Sequence, residues 1–197
     1  MLSVTLQQKS LGEKSMNKKI VFLCAILSGV LCFLPGCAVH DRKSHESSME
    51  QARDLVVSGK AECVLIRNGE IVYQQKGRGV SPLLALYKKQ KSAMKDGVVV
   101  DKIIGRAAAA IAICGKVRHV HGEVMSEDAI EYLKEHKITS SSTLTVKRIL
   151  NRKRNGLCPL EQSVQGINDP QKALRALEQK IRFMQKRPVK TFSGRRK

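Results

Sequence analysis

The stretch ECVLIRNGEIVYQQ, residues 62–75, decides how this chain folds. Two runs rich in β-branched residues flank Asn68-Gly69, a pair that accepts the positive φ angles of a two-residue turn. That pattern predicts an antiparallel hairpin. Upstream, residues 49–58 read as a short helix ending in Leu55, Val56 and Val57, with Gly59 as its stop. Downstream, Ser81-Pro82 has the chemistry of a helix start. Gly97 to Val100 is a short strand, apolar on both faces. Asp101 is placed to cap the next helix, DKIIGRAAAAIAICG, whose alanines allow close packing against a sheet. A strand over 117–121 follows, then a helix over 129–136 capped by Ser126-Glu127-Asp128, and a strand over 143–150. Helices over 158–164 and 170–184 close the pattern. The order α-β-β-α-β-α-β-α-β-α-α predicts an α/β fold: a mixed sheet that begins with an antiparallel hairpin, with helices on both faces.

Composition narrows the alternatives. The chain has 197 residues, 42% of them hydrophobic, which is room for one domain with appendages and excludes wholesale disorder. Aromatics make up only 4%, with no Trp, so the core has to be aliphatic. A formal charge of +19 favours contact with a polyanion, either nucleic acid or an anionic membrane surface, and equally serves solubility.

The N-terminus reads as an address. From Met16, Asn17-Lys18-Lys19 is a basic start, residues 20–34 are an apolar run, and Leu34-Pro35-Gly36-Cys37 closes it. The run is shorter than the ~20 residues of a comfortable membrane span and has the plan of a secretory signal. It resembles a bacterial lipoprotein signal, apart from Pro35. The resemblance implies acylation of Cys37, a true start at Met16, and sorting permitted by Ala38 to the outer membrane. The expected organisation is a leader (1–37), a polar tether (38–48), a domain (49–184) and a basic disordered tail (185–197). The expected location is a membrane-anchored lipoprotein, with the cytoplasm as the alternative. Cys24 and Cys32 leave with the leader. Cys63, Cys114 and Cys158 remain, an odd set that implies no closed disulfide framework.

Four blocks in order carry a further likeness: the hairpin at Asn68-Gly69, GRGVSPLLAL, DKIIGRAAAA and NRKRNGLCPLE. Together they resemble the domain-of-unknown-function family 1893 (DUF-1893), a branch of the cytidine-deaminase-like fold, over about residues 55–184. The resemblance implies a three-layer sandwich. In zinc deaminases a His or Cys with a nearby Glu opens the helix after the hairpin, and Cys-x-x-Cys opens the next helix. Here those places hold Ser81-Pro82-Leu83-Leu84 and Asp101-Lys102-Ile103-Ile104-Gly105. The thiolates and imidazole of a zinc cage are missing, so zinc-dependent deamination is not expected, and no metal or cofactor is assigned.

What remains for chemistry lies in two places. Helix starts entered from a sheet expose N–H groups that suit an anion, which points to Ser81, Asp101, Lys102 and Arg106. Asp101 is alternatively a plain cap. In NRKRNGLCPLEQ, Cys158 at a helix start beside Arg152, Lys153 and Arg154 favours a thiolate. Glu161 is placed to carry a proton or to fold back on the cap. Asn151, Arg152 and Gly156 form a turn open to a ligand. Cys158, Glu161 and Asp101 are thus the catalytic candidates, and Ser81, Lys102, Arg106, Asn151, Arg152 and Gly156 the ligand-binding ones. His119 and His121 alternate on one strand face, a spacing that suits a metal pair and is more commonly two surface residues. The functional expectation is a small anionic or nucleotide-like ligand, with a reactive cysteine. The alternatives are a polyanion- or nucleic-acid-binding module, disfavoured by the lack of stacking aromatics, and an inert surface lipoprotein.

Overall fold

In the computed structural model of the protein, Asn68 and Gly69 take φ angles of 52° and 78°. They join β1 (Cys63–Arg67) to β2 (Glu70–Gln75) as an antiparallel hairpin. The structure describes residues 37–186, with side chains from Glu46 onward. The leader, the Cys37 side chain and residues 187–197 of the expected tail lie outside that range.

Around the hairpin the chain forms α1 (Cys37–Val57), α2 (Ser81–Met94), β3 (Val98–Ile104), α3 (Arg106–Gly115), β4 (His119–Ser126), α4 (Glu127–Glu135), β5 (Thr139–Val146), α5 (Pro159–Val164) and α6 (Pro170–Lys186). The element order is the expected one. One sheet runs β2-β1-β3-β4-β5. The hairpin pairs antiparallel with β3, and β3, β4 and β5 are parallel.

Strand alternation divides the sheet into two faces. Leu65, Val99 and Val120 point into the larger core, which α2 to α6 cover. Val64, Ile66, Val98 and Val100 meet Ala52 and Val56 of α1 on the other face. Helices therefore lie on both faces, unequally. The alanines of α3 are buried, and this slim helix packs against α2, α4, α5 and α6. A Cβ on Gly115 would lie 2.5 Å from Met94 Cε, so the α2–α3 contact depends on that glycine.

Several boundaries differ from the sequence reading, each for a local reason. Helix α1 starts at Cys37 rather than at residue 49, because no proline or glycine interrupts residues 38–48. The expected tether is therefore helical. Strand β3 continues through Asp101 to Ile104, carried by pairing with β4 as far as Met125. Asp101 is thus a strand residue and not the cap of α3. That cap position belongs to Gly105, which has no side chain to offer. Strand β4 is longer than the expected 117–121, ending at Ser126, which does cap α4 by accepting from Ala129 N–H. Strand β5 spans Thr139–Val146 instead of 143–150. It is a polar edge strand, so its place is set by backbone pairing to β4 rather than by an apolar alternation. The residue that flanks α2 as its N-cap is Val80, with Ser81 already helical.

Candidate functional site

Because Gly105 cannot cap α3, the first amides of that buried helix need an acceptor from elsewhere. Glu161 supplies it. Its Oε2 lies 2.7 Å from Arg106 N and its Oε1 3.1 Å from Ala107 N. The approach is close enough that a Cβ on Gly105 would sit 2.4 Å from Oε1. Burial raises the Glu161 carboxyl above its ordinary value, and the two amide hydrogen bonds work against that rise. The NRKRNGLCPLE segment therefore folds over the start of α3, and it does so through Glu161.

Arg106 turns its side chain inward. Its guanidinium bonds Asp128 Oδ1 at 2.8 Å, Ile167 O at 3.1 Å and Asn168 Oδ1 at 3.2 Å. It also stacks over the Tyr132 ring at 3.9 Å, a cation–π contact. Arg106 Nε is buried with no hydrogen-bond partner among the described residues. This arginine ties α3 to α4 and to the entry of α6.

Beside this junction is a cavity of about 280 Å³ lined by Ser126, Asp128, Lys147, Arg148, Ile149, Leu157, Glu161, Gln165 and Gly166. It opens where β4 ends at Ser126 and β5 ends at Val146. In parallel α/β sheets the carboxyl ends of strands are where ligands gather. The charges there are only partly matched. Asp128 is compensated by Arg106, and Glu161 by the α3 amides. Among the described residues neither Lys147 nor Arg148 is ion-paired, so the two cations of the wall are left without an acidic partner.

The remaining sequence candidates fall elsewhere. Asp101 is 5% exposed and faces Cys63 across the β1–β3 pair. Its Oδ1 accepts from Ile103 N at 3.1 Å. Burial first, and the charge of Glu62 after it, push its carboxyl up to about 7, against the hydrogen bonds from Ile103, Cys63 and Lys102. The Cys63 thiol is raised by burial and then by Asp101. Lys102, on the opposite face of the strand, reaches Glu62 at 3.8 Å. Ser81 lines a separate groove of about 500 Å³ between α2 and α6, with Leu84, Leu160, Ile181 and Met184. Asn151 is spent inside its own turn, bonding Asn155 through side chain and backbone and donating its N–H to Gly156 O. Arg152, Lys153 and Arg154 stand exposed on that turn. Cys158 is half-buried at the N-cap of the six-residue α5, and its side chain makes no cap hydrogen bond. So Arg106 and Glu161 come together, with the Cys158 turn alongside, while Asp101, Lys102 and Ser81 do not join them.

A deaminase-type zinc does not fit these residues. One helix start presents Ser81 and Pro82, and the amides of the other are filled by a carboxylate. Among the described residues no group of three or more His, Cys, Asp or Glu is placed to hold a metal ion. The pair His119 and His121 is engaged instead with Thr139, Ser141 and Glu123.

Lys147, Arg148, Ser126 and Asp128 were missed as site residues. Lys147 and Arg148 fall inside the strand expected over 143–150, and only the shift of β5 places them beyond its end.

Comparison with known proteins completes the description. The model of a domain of unknown function, DUF1893, matches residues 51–181. Among solved structures, a DUF1893 family protein from Thermotoga maritima superposes with a TM-score of 0.62 at 23% identity, over 68% of this chain and 90% of that one. Two further solved structures are more distant. RibD from Acinetobacter baumannii gives a TM-score of 0.36 at 15% identity, over 51% of this chain and 35% of that one. The diaminohydroxyphosphoribosylaminopyrimidine deaminase/5-amino-6-(5-phosphoribosylamino)uracil reductase of Thermotoga maritima gives 0.37 at 14%, over 61% and 41%. No curated protein matches the chain.

Proposed function

This chain belongs to the DUF1893 family, and from that premise we propose that it binds a small anionic, nucleotide-like compound in the cavity at the ends of β4 and β5. The observation that carries this reading is the charge balance of the cavity wall. Asp128 and Glu161 are matched internally, whereas Lys147 and Arg148 have no acidic partner among the described residues. A phosphate or carboxylate group fits that imbalance, and charge-assisted hydrogen bonds to it are stronger than neutral ones. Ser126 and Gln165 add polar contacts. Cys158, next to Leu157 in the lining, is the thiol such a ligand would meet at the rim.

Calorimetric titration with adenosine 5′-monophosphate and with inorganic phosphate checks this. Binding is expected, and Lys147→Ala with Arg148→Ala is expected to weaken it by about tenfold or more, roughly 1.4 kcal/mol. Silence with both compounds, or equal affinity in the double variant, would defeat the reading. Tight DNA binding with a steep salt dependence would instead favour the polyanion-binding alternative, centred on Arg152, Lys153 and Arg154.

We further propose that Cys37 carries lipid and tethers the domain to a membrane. The support is the sequence pattern of residues 16–37; among the described residues no helix is long and apolar enough to cross a membrane. Metabolic labelling with an alkynyl fatty acid is expected to mark the wild type and not Cys37→Ser, with the variant moving to the soluble fraction. A label that survives in Cys37→Ser would refute this.

A further inference from the structure

The face of β4 and β5 turned toward the α1 side of the sheet carries no apolar ladder. It carries a chain of hydrogen-bonding groups. Val100, His121 and Ser141 stand in register across β3, β4 and β5, and Val100 belongs to the core beneath α1. Ser141 Oγ lies 2.8 Å from His121 Nδ1, and His121 Nε2 lies 3.2 Å from Glu123 Oε1. Glu123 is held in turn by Arg53 Nε at 3.3 Å and by Thr143 Oγ1 at 2.7 Å. His121 is 6% exposed, whereas Ser141 is exposed.

We propose that Ser141, His121 and Glu123 form a nucleophile–base–acid relay that transfers the acyl group of a small activated carboxylic ester. The roles follow from proton counting. Burial is the largest influence on the Glu123 carboxyl and acts to raise it, yet the hydrogen bonds from Thr143, His121 and Arg53 together with the charge of Arg53 bring it below its ordinary value. An ionised Glu123 accepts a hydrogen bond from His121 Nε2–H. That leaves Nδ1 of the neutral ring as the acceptor, and burial, which lowers the His121 pKa, keeps the ring neutral. The Ser141 hydroxyl has a single proton, which goes to Nδ1. His119 Nε2 lies 3.0 Å from the same oxygen, and its Nδ1 lies 2.8 Å from Thr139 Oγ1, whose single proton goes to Arg118 O at 3.1 Å. His119 therefore donates through Nδ1, and its Nε2 is a second, more distant acceptor for the Ser141 proton. The order hydroxyl, imidazole, carboxylate is that of an activated serine, with the two ring nitrogens exchanged relative to the serine-protease triad. A purely decorative ladder of surface hydroxyls needs neither a buried imidazole nor a carboxylate fixed from two sides.

In the step, Ser141 Oγ attacks the carbonyl carbon while its proton passes to His121 Nδ1. The tetrahedral intermediate collapses, the ester C–O bond breaks, and the leaving alkoxide takes that proton. Water repeats the sequence, releasing the carboxylic acid and restoring Ser141. The relay sits mid-strand and away from the strand-end cavity, so its fate is independent of the ligand proposed there.

The test is covalent labelling of the full chain with a fluorophosphonate, in which the Ser141 Oγ–phosphorus bond forms and fluoride leaves. Mass spectrometry is expected to map one adduct to Ser141, absent in Ser141→Ala and unchanged in Ser142→Ala. The labelling rate is expected to fall by on the order of 10²-fold in His121→Asn. Glu123→Gln, close to the native side chain in size, is expected to slow it as well and decides the matter if His121→Asn does not fold. No adduct at Ser141, or an equal rate in the folded variants of His121 and Glu123, would overturn the proposal.

Discussion

Replacing Asp101 by asparagine is expected to stabilise the protein above neutral pH and to leave it nearly unchanged in acid. The reason is the site of its carboxyl, between β1 and β3 with 5% of the residue exposed and the Cys63 thiol as neighbour. Its folded pKa of about 7 lies above the unfolded value. Between those two values the folded chain holds a proton that the unfolded chain has released. Stability from this group is therefore fully present below about pH 3.9 and is lost as pH rises through about 7. The shift corresponds to about 4 kcal/mol, large beside the 5–15 kcal/mol roughly typical of a whole domain. The asparagine side chain is neutral throughout, and its amide oxygen can still accept from Ile103 N–H. Urea unfolding of both proteins at about pH 4 and about pH 8 measures the effect. A gain for Asp101→Asn that is equal at the two pH values, or none at the higher one, would show that this carboxyl is not held protonated.

Glu161→Ala is expected to do the opposite, at every pH where the protein folds. Removing the carboxylate leaves Arg106 N–H and Ala107 N–H at a buried helix start without acceptors, and Gly105 has no side chain to replace it. Each stranded donor costs about 1–3 kcal/mol. Relief of the desolvated carboxylate offsets part of that, so the net loss is about 3 kcal/mol, or a fall in Tm of about 6–12 °C. Gly105→Ala should reproduce much of the loss by driving a methyl group into Oε1. An unchanged melting temperature in Glu161→Ala would mean that the α3 start finds its acceptors elsewhere. Glu161 thus anchors the C-terminal segment to the start of α3.

The strand-end cavity and the Ser141 relay share one cause of invisibility. Strand β5 is written in TSSSTLTV, residues 139–146, where apolar periodicity gives no register. A strand expected over 143–150 contains Lys147 and Arg148 and puts Ser141 in a loop, whereas β5 spans Thr139–Val146. From the sequence His121 reads only as half of a metal pair, because Ser141 reaches it from β5, and Arg53, which holds the neighbouring Glu123, comes from α1. Asp101 was misplaced for a related reason: a polar residue after three valines looks like a cap, yet parallel pairing with β4 carries the strand past it. By contrast Ser126 was recognised, since an N-cap is a purely local bond to the amide three residues on.

By itself the sequence determined the hairpin, the order of helices and strands, the aliphatic sheet core and membership of the DUF1893 family. Those features are local: turn dihedrals, periodicity and residue identity at a given position decide them. Only the tertiary structure decided that Glu161 caps α3, that Arg106 is a buried brace, and which imidazole meets which hydroxyl. Such pairings join residues tens of positions apart, and their hydrogen bonds form only once strand register and helix packing have set the distances.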